Sequence, residues 1–397
     1  MNLRTIDPLG RLLPQKLAGG DVPHVVIEPN TTCDLRCRRC YSAGARVVKP
    51  AEQVLDEIDL AMRLRRLDSV SLLGGEPTLH PDLEDIVRHI KAHGLVCMLL
   101  SNGAGFLREG GEARLDALRA AGVDRFILHV DEGQAHDRGD ISAARHALAQ
   151  LMEARRAWFA LAVTLYAGQE PLLPDLLREF SAYRHFDGVL VTLAMDPEGA
   201  LRPGPPTPDT PDMSHVHAAM AEQLGVEPTA YIPSSLSDDE VCWLLYFHYL
   251  CPHSGAAFAP SPAYNRLFRW VYRRLAGKEF FAATLSERWA MPTLVLTLLV
   301  EVLLHPARLP ELGRFLRAAP RWRDLRFQYA VFQQGPRWNA EHGQPQICWH
   351  CPDATLRQGR LVPVCLAQQL FPMDGSPSPA PPEARAAILA HLGQDPA

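Results

Sequence analysis

The chain has 397 residues, 47% of them hydrophobic, which is enough to bury a large core in one big domain with an extension or in two domains, and it excludes a disordered chain. A net charge of −5 and a pI near 6.3 give no electrostatic footprint of a nucleic-acid binder. The opening residues, MNLRTIDPLGRLLPQ, hold no apolar run of secretory length, so the nine cysteines are expected in a reducing cytoplasm, as metal ligands rather than disulfides.

From residue 25 to 195, extended apolar segments alternate with helical periodicity. VVIEPN precedes a helix around Val54, Ile58 and Met62, and VSLLG precedes one carrying Leu83, Ile86, Val87 and Ile90. LVCMLLSN leads to a helix at Leu115 and Leu118, FILHVD to one over 142–156, and WFALAVTLY to one over 172–183 before VLVTLA. Six strands alternating with helices predict an α/β parallel sheet with right-handed crossovers. The chemically distinctive residues follow successive strand ends, which favours a partial (β/α)6 TIM-like barrel with its site at the carboxyl edge.

Residues 1–24 read as a lead-in and 25–195 as the barrel. The proline-dense DPEGALRPGPPTPDTPD then opens an extension, 196–372, predicted mostly helical around 244–250, 264–275 and 294–305. In the tail, 373–397, the stretch GSPSPAPPEAR reads as loose, with a short terminal helix after it. The most apolar run, 293–304, is too short for a membrane span and carries Glu301, so it is expected as a buried or interfacial helix, with a greasy wall for an apolar substrate as the alternative.

Cys33, Cys37 and Cys40 place three thiols on one loop after the first strand. A closed zinc site or a fully ligated four-iron cluster takes four protein ligands, so three leave one iron open to a chelating amino acid. This C-x3-C-x2-C spacing, with Tyr41 beside the last cysteine, resembles the signature of the radical S-adenosylmethionine (SAM) superfamily. Gly74-Gly75-Glu76-Pro77, one helix and one strand later, resembles that family's GGEP motif.

The resemblance implies an iron–sulfur oxidoreductase with a 4Fe-4S cluster whose open iron binds SAM. One-electron reduction, from a donor such as flavodoxin or ferredoxin, then yields a 5′-deoxyadenosyl radical that takes hydrogen from unactivated carbon. By the same resemblance Gly74 to Pro77 face SAM, and Ser101 and Asn102 stand where family members contact its ribose or carboxylate; a strand-end turn is the alternative for that pair. Asp131, at the fourth strand end, and His136, in the loop after it, are candidates to face SAM or substrate.

Cys348 and Cys351 form a C-x2-C knuckle ahead of Cys365, with Cys251 far upstream. The spacing suits zinc as well as iron. In radical SAM enzymes such groups often hold an auxiliary iron–sulfur cluster, and these four cysteines supply the thiolates for an auxiliary 4Fe-4S cluster, with Cys242, His253 and His350 as substitutes. CWHCPD and GRLVPVC resemble the branch that includes the archaeal tetraether lipid synthases, although this chain has no N-terminal rubredoxin-like cysteine knot. Cys97 reads as a small buried hydrophobe, and Trp338 and Trp349 read as core.

The function expected is formation of a carbon bond, or oxidation, of a lipid, peptide or small molecule. A radical methylase or peptide-modifying enzyme is the alternative, and a zinc-stabilised binding protein without catalysis is the alternative of another class.

Overall fold

The computed structural model describes residues 2–12, 14–42, 44, 46–204, 209–281, 287–319 and 325–392, the side chains of 287–294 excepted. Residues 205–208 of the proline-dense stretch and the last five of the tail lie outside the described residues.

The six predicted strands form as β1 (His24–Ile27), β2 (Ser69–Leu72), β3 (Val96–Ser101), β4 (Arg125–His129), β5 (Phe159–Leu165) and β6 (Phe186–Leu193), each parallel to the next. Helices Ala51–Leu64, Leu83–Ala92, Gly111–Ala121, Ile141–Ala154 and Leu172–Phe180 connect them. The sheet curls into a half-barrel.

The extension contributes β7 (Ala230–Pro233), β8 (Val241–Leu250), β9 (Ala257–Phe258), β10 (Arg326–Gln333), β11 (Arg337–Asn339), β12 (Gln344–Gln346), β13 (Ala354–Arg357) and β14 (Arg360–Pro363). β10 adds parallel to β6, and β8 and β7 follow antiparallel. At the other edge β13 adds parallel to β1, and β14 follows antiparallel. The sheet order is therefore β14-β13-β1-β2-β3-β4-β5-β6-β10-β8-β7, with β9 on β8, and residues 196–372 extend the barrel's own sheet at both edges.

The extension departs from expectation at one run. The run 244–250 is strand, not helix: VCWLLYFHYL is buried along almost its whole length, so no polar period distinguishes the two, and its aromatic content suits a strand flanked on both sides. The short last helix of the tail is Pro382–His391, whose Ala384, Ile388 and Leu389 join a core with Val362, Leu366 and Leu370, while residues 374–377 before it are exposed. The predicted helices at 264–275 and 294–305 are Pro262–Ala276 and Glu287–Leu304.

The two-residue period of the strands separates two environments. Val25 and Ile27, Cys97 and Leu99, and Phe126 and Leu128 pack outward under the helices. His24 and Val26, Met98 and Leu100, and Ile127 and His129 point instead into a cavity of about 1060 Å³. Trp243, Leu245, Phe247 and Tyr249 of β8 line its far wall.

Candidate functional site

The cysteine loop is held at its base by the end of β2. Gly75 N donates to Asn30 O (2.9 Å), Glu76 N to Thr32 O (2.7 Å), and Asn30 Nδ2 to Glu76 O (3.0 Å). A Cβ on Gly74, whose φ is +149°, would stand 2.1 Å from Asn30 O, and one on Gly75 would stand 2.3 Å from Thr32 O. These glycines therefore admit the backbone that launches the cysteines, in addition to lining the cavity.

Glu76 is buried, and its carboxylate is spent inside the protein. Oε1 accepts from Ser101 Oγ (2.7 Å) and Thr78 N (3.1 Å), while Oε2 accepts from Asn102 N (2.7 Å). Burial raises its pKa against these donors. Gly74, Gly75, Ser101 and Asn102 line the cavity, whereas Glu76 and Pro77 do not, so Glu76 ties the ends of β2 and β3 together.

Two side-chain amides approach the first thiols. Asn102 Nδ2 lies 3.8 Å from Cys33 Sγ and 2.7 Å from Asp34 Oδ1, and Gln134 Nε2 lies 3.5 Å from Cys37 Sγ. Burial, with Cys40 close by, pushes the Cys37 thiol up to about 12, and burial likewise raises Cys33. Thiols in this condition ionise when a cation compensates them.

Asp131 points into the cavity but has no free edge. Oδ1 accepts from Gly133 N (2.8 Å); Oδ2 accepts from Thr164 N (2.8 Å) and meets His129 Nε2 at 2.6 Å. Burial alone would raise its pKa, yet His129 and Thr164 bring it down to about 2, and Asp131 in turn raises that of His129 against burial. His129 also lines the cavity, with Nε2 turned to Asp131 and Nδ1 3.3 Å from Gln134 Nε2, so Asp131 fixes the orientation of its ring. His136 does not reach the cavity: it is 55% exposed beside Asp137, on the outer side of the short helix Ala135–Arg138.

The second thiol group assembles from Cys242, Cys348, Cys351 and Cys365. The Cys242 and Cys348 side chains interact directly, as do Cys348 and Cys351, while Cys365 feels both Cys351 and Cys242. Cys251 is not brought to them. It follows the end of β8 opposite Cys242, nine residues along an extended strand, and its thiol faces Ala318 O (3.8 Å). His253 is exposed beyond it. His350 stacks with His391, and Trp349 lines the cavity rather than the core, its Nε1 donating to Leu17 O (3.0 Å).

The knuckle is anchored by Arg65, buried behind the start of β1. Its guanidinium donates to the carbonyls of His24 (2.6 Å), His350 (3.1 Å), Cys351 (3.1 Å) and Pro352 (3.3 Å). Tyr41 lies between the two groups: burial, Glu28, Cys40, Asp353 and Cys365 all raise its hydroxyl pKa, in that order.

Single-ion geometry requires thiolates about 3.8 Å apart around one zinc. Among the described residues, the one group of three or more His, Cys, Asp or Glu ligand atoms within 4.8 Å of one another is Asp59, His89 and His93, on outer helices, and neither thiol group qualifies. Thiolates hold zinc or an iron–sulfur cluster alike. The sequence held no signal for Gln134 or His129, and it offered Cys242 only as a substitute for one of the four cysteines.

Residues 27–158 match the family model described as the Radical SAM superfamily. The chain is 31% identical over 183 residues to the pre-heme d1 synthase of Dinoroseobacter shibae, covering 44% of each chain. It is 31% identical over 134 residues to the PqqA peptide cyclase of Xanthomonas euvesicatoria, covering 32% of this chain and 34% of that one. It thus spans less than half the length of the curated relatives it matches. A solved structure of Streptococcus suis SuiB bound to precursor peptide SuiA aligns at a TM-score of 0.38 with 20% identity, over 45% of this chain and 41% of that one. No helix among the described residues is long and apolar enough to cross a membrane.

Proposed function

We propose that this radical SAM enzyme holds a site-differentiated cluster on Cys33, Cys37 and Cys40 and an auxiliary cluster on Cys242, Cys348, Cys351 and Cys365, and works on a substrate enclosed between them. The observation that carries this reading is that Cys33, Cys37 and Cys40 line the same cavity as Cys348, Cys351 and Cys365. When bound, the first cluster and SAM supply a 5′-deoxyadenosyl radical, and the second supplies an electron acceptor.

The chain's own residues set the conditions for that chemistry. Asn102 and Gln134 direct N–H groups at the sulfurs of Cys33 and Cys37, which favours the reduced, more negative state. Gly74, Gly75, Ser101 and Tyr41 surround the space for SAM. Asp131 fixes the His129 ring in the wall of the substrate space, and the aromatic wall of β8 excludes water. An electron acceptor on the far side of the cavity favours a net oxidative outcome, either bond formation or desaturation. An electron donor such as flavodoxin or ferredoxin and a reducing, cytoplasmic setting complete the proposal.

An apolar substrate, as in the branch resembling tetraether lipid synthases, fits the cavity wall. A peptide side chain is the second reading, favoured by the similarity to PqqA peptide cyclase. The test of the two-cluster assignment is iron and sulfide per chain in anaerobically reconstituted variants. Cys242→Ser should lose about half the iron, and Cys251→Ser should lose none. Equal retention by both variants would remove Cys242 from the site.

A further inference from the structure

We propose that the helix pair Pro262–Ala276 and Glu287–Leu304 docks this enzyme on an anionic lipid surface. Large hydrophobic side chains are exposed at seventeen described positions, and eleven of them fall between residues 267 and 327. Concentration of that kind marks an interaction surface, whereas scattered exposed leucines do not.

Helix Pro262–Ala276 buries none of its fifteen residues. Leu267, Trp270, Val271 and Leu275 are exposed at helical spacing, with Trp270 at 63% and Leu275 at 84%. On the second helix Leu296, Leu299 and Leu303 form an exposed row, while Leu298 is buried and Glu301 is covered, accepting from Ser261 Oγ (2.6 Å). The helices are joined by Tyr264 Oη and Thr297 Oγ1 (2.7 Å), so the apolar rows lie away from the contact between them.

Charge selects the occupant. Residues 262–279 carry Arg266, Arg269, Arg273, Arg274 and Lys278 against Glu279 alone, in a chain whose net charge is −5. Arg269 and Arg273 pair with Glu279, and Lys278 pairs with Asp68. Arg266 and Arg274 are exposed beside Leu267 and Leu275. Apolar residues with a tryptophan, flanked by arginines, suit a helix lying in the interface of an anionic bilayer better than a protein core. Tyr264, Phe268, Val271 and Leu296 of the same helices also line the cavity, so the docking face and the substrate space share a wall. The docking surface is independent of the radical SAM reading. Its consequence, that an acyl chain enters the cavity from the bilayer, rests on that reading.

The test is flotation of the full chain with phosphatidylglycerol-containing vesicles and with purely zwitterionic vesicles. The expected result is binding to anionic vesicles that weakens with salt, falls at least about tenfold in Trp270→Glu/Leu275→Glu, and falls several-fold in Arg266→Gln/Arg274→Gln. Iron content and melting temperature, read on the same samples, should be unchanged in both variants, because the residues are exposed. Absence of flotation, flotation indifferent to these substitutions, or equal binding to zwitterionic vesicles would overturn the proposal. A dimer in solution that Trp270→Glu/Leu275→Glu dissociates, without flotation of the parent chain, would assign the face to a second copy and overturn it too.

Discussion

Arg65→Met isolates the second thiol group from the first. Arg65 is 3% exposed and supplies four hydrogen bonds, from 2.6 to 3.3 Å, to carbonyls at the start of β1 and across residues 350–352. Methionine keeps much of the volume and removes every donor. Hydrogen bonds to a charged group contribute about 1.5–3 kcal/mol each, and each stranded buried carbonyl costs about 1–3 kcal/mol. The four share one guanidinium and do not add, and removing the buried cation returns part of its desolvation cost, so the net loss should be about 3–5 kcal/mol. For a chain of this length that lowers the melting temperature by about 5 °C. The assay is differential scanning fluorimetry with iron and sulfide analysis on anaerobic protein. About half the iron should go, because the knuckle loses its anchor, while SAM cleavage at the first loop persists. Unchanged iron and melting would show that Arg65 does not hold the second group in place.

Gly74→Ala should cost about 2–5 kcal/mol and impair loading of the first cluster, since its Cβ meets the Asn30 carbonyl at 2.1 Å; Gly94→Ala, with open space around a φ of +69°, should cost only about 1 kcal/mol. Denaturant unfolding of the two variants makes the comparison, and equal losses would deny the contact any role. Acid should weaken the fold through His24 and His248, whose pKa values burial depresses to about 3 and about 4. Their folded forms stay neutral, so stability is full above the unfolded value near 6.5 and falls as pH drops below it, by about 1.4 kcal/mol per pH unit for each histidine. His24→Asn should remove one histidine's share of that slope between pH 6.5 and 5, and an unaltered slope would contradict the buried neutral assignment.

The barrel was legible because β1 to β6 alternate with helices of clear period, and because the cysteines and Gly74 stand at strand ends where a parallel sheet builds its site. The extension was not. β8 is apolar on both faces, so its pattern matches a buried helix equally well, and Cys242 stood only as a substitute ligand because its partner Cys348 is more than a hundred residues away. Cys251, six residues from the wall residue Leu245, looked equivalent on spacing; only the pairing of β8 with β10 shows that it stands at the other end of the strand. Glu76 shows a different limit. The motif was visible, but not that its carboxylate is consumed by Ser101, Thr78 and Asn102.

The proposed cluster on Cys33, Cys37 and Cys40 is a catalyst of SAM cleavage and can be read by its product. The direct measurement is 5′-deoxyadenosine formed by anaerobically reconstituted protein with SAM and a strong reductant, assayed beside Cys37→Ala and with iron, sulfide and zinc determined on both. The expected result is brown protein containing iron and sulfide, with 5′-deoxyadenosine from the parent chain and none from Cys37→Ala. Colourless, zinc-loaded protein without 5′-deoxyadenosine, or equal 5′-deoxyadenosine from the variant, would contradict it.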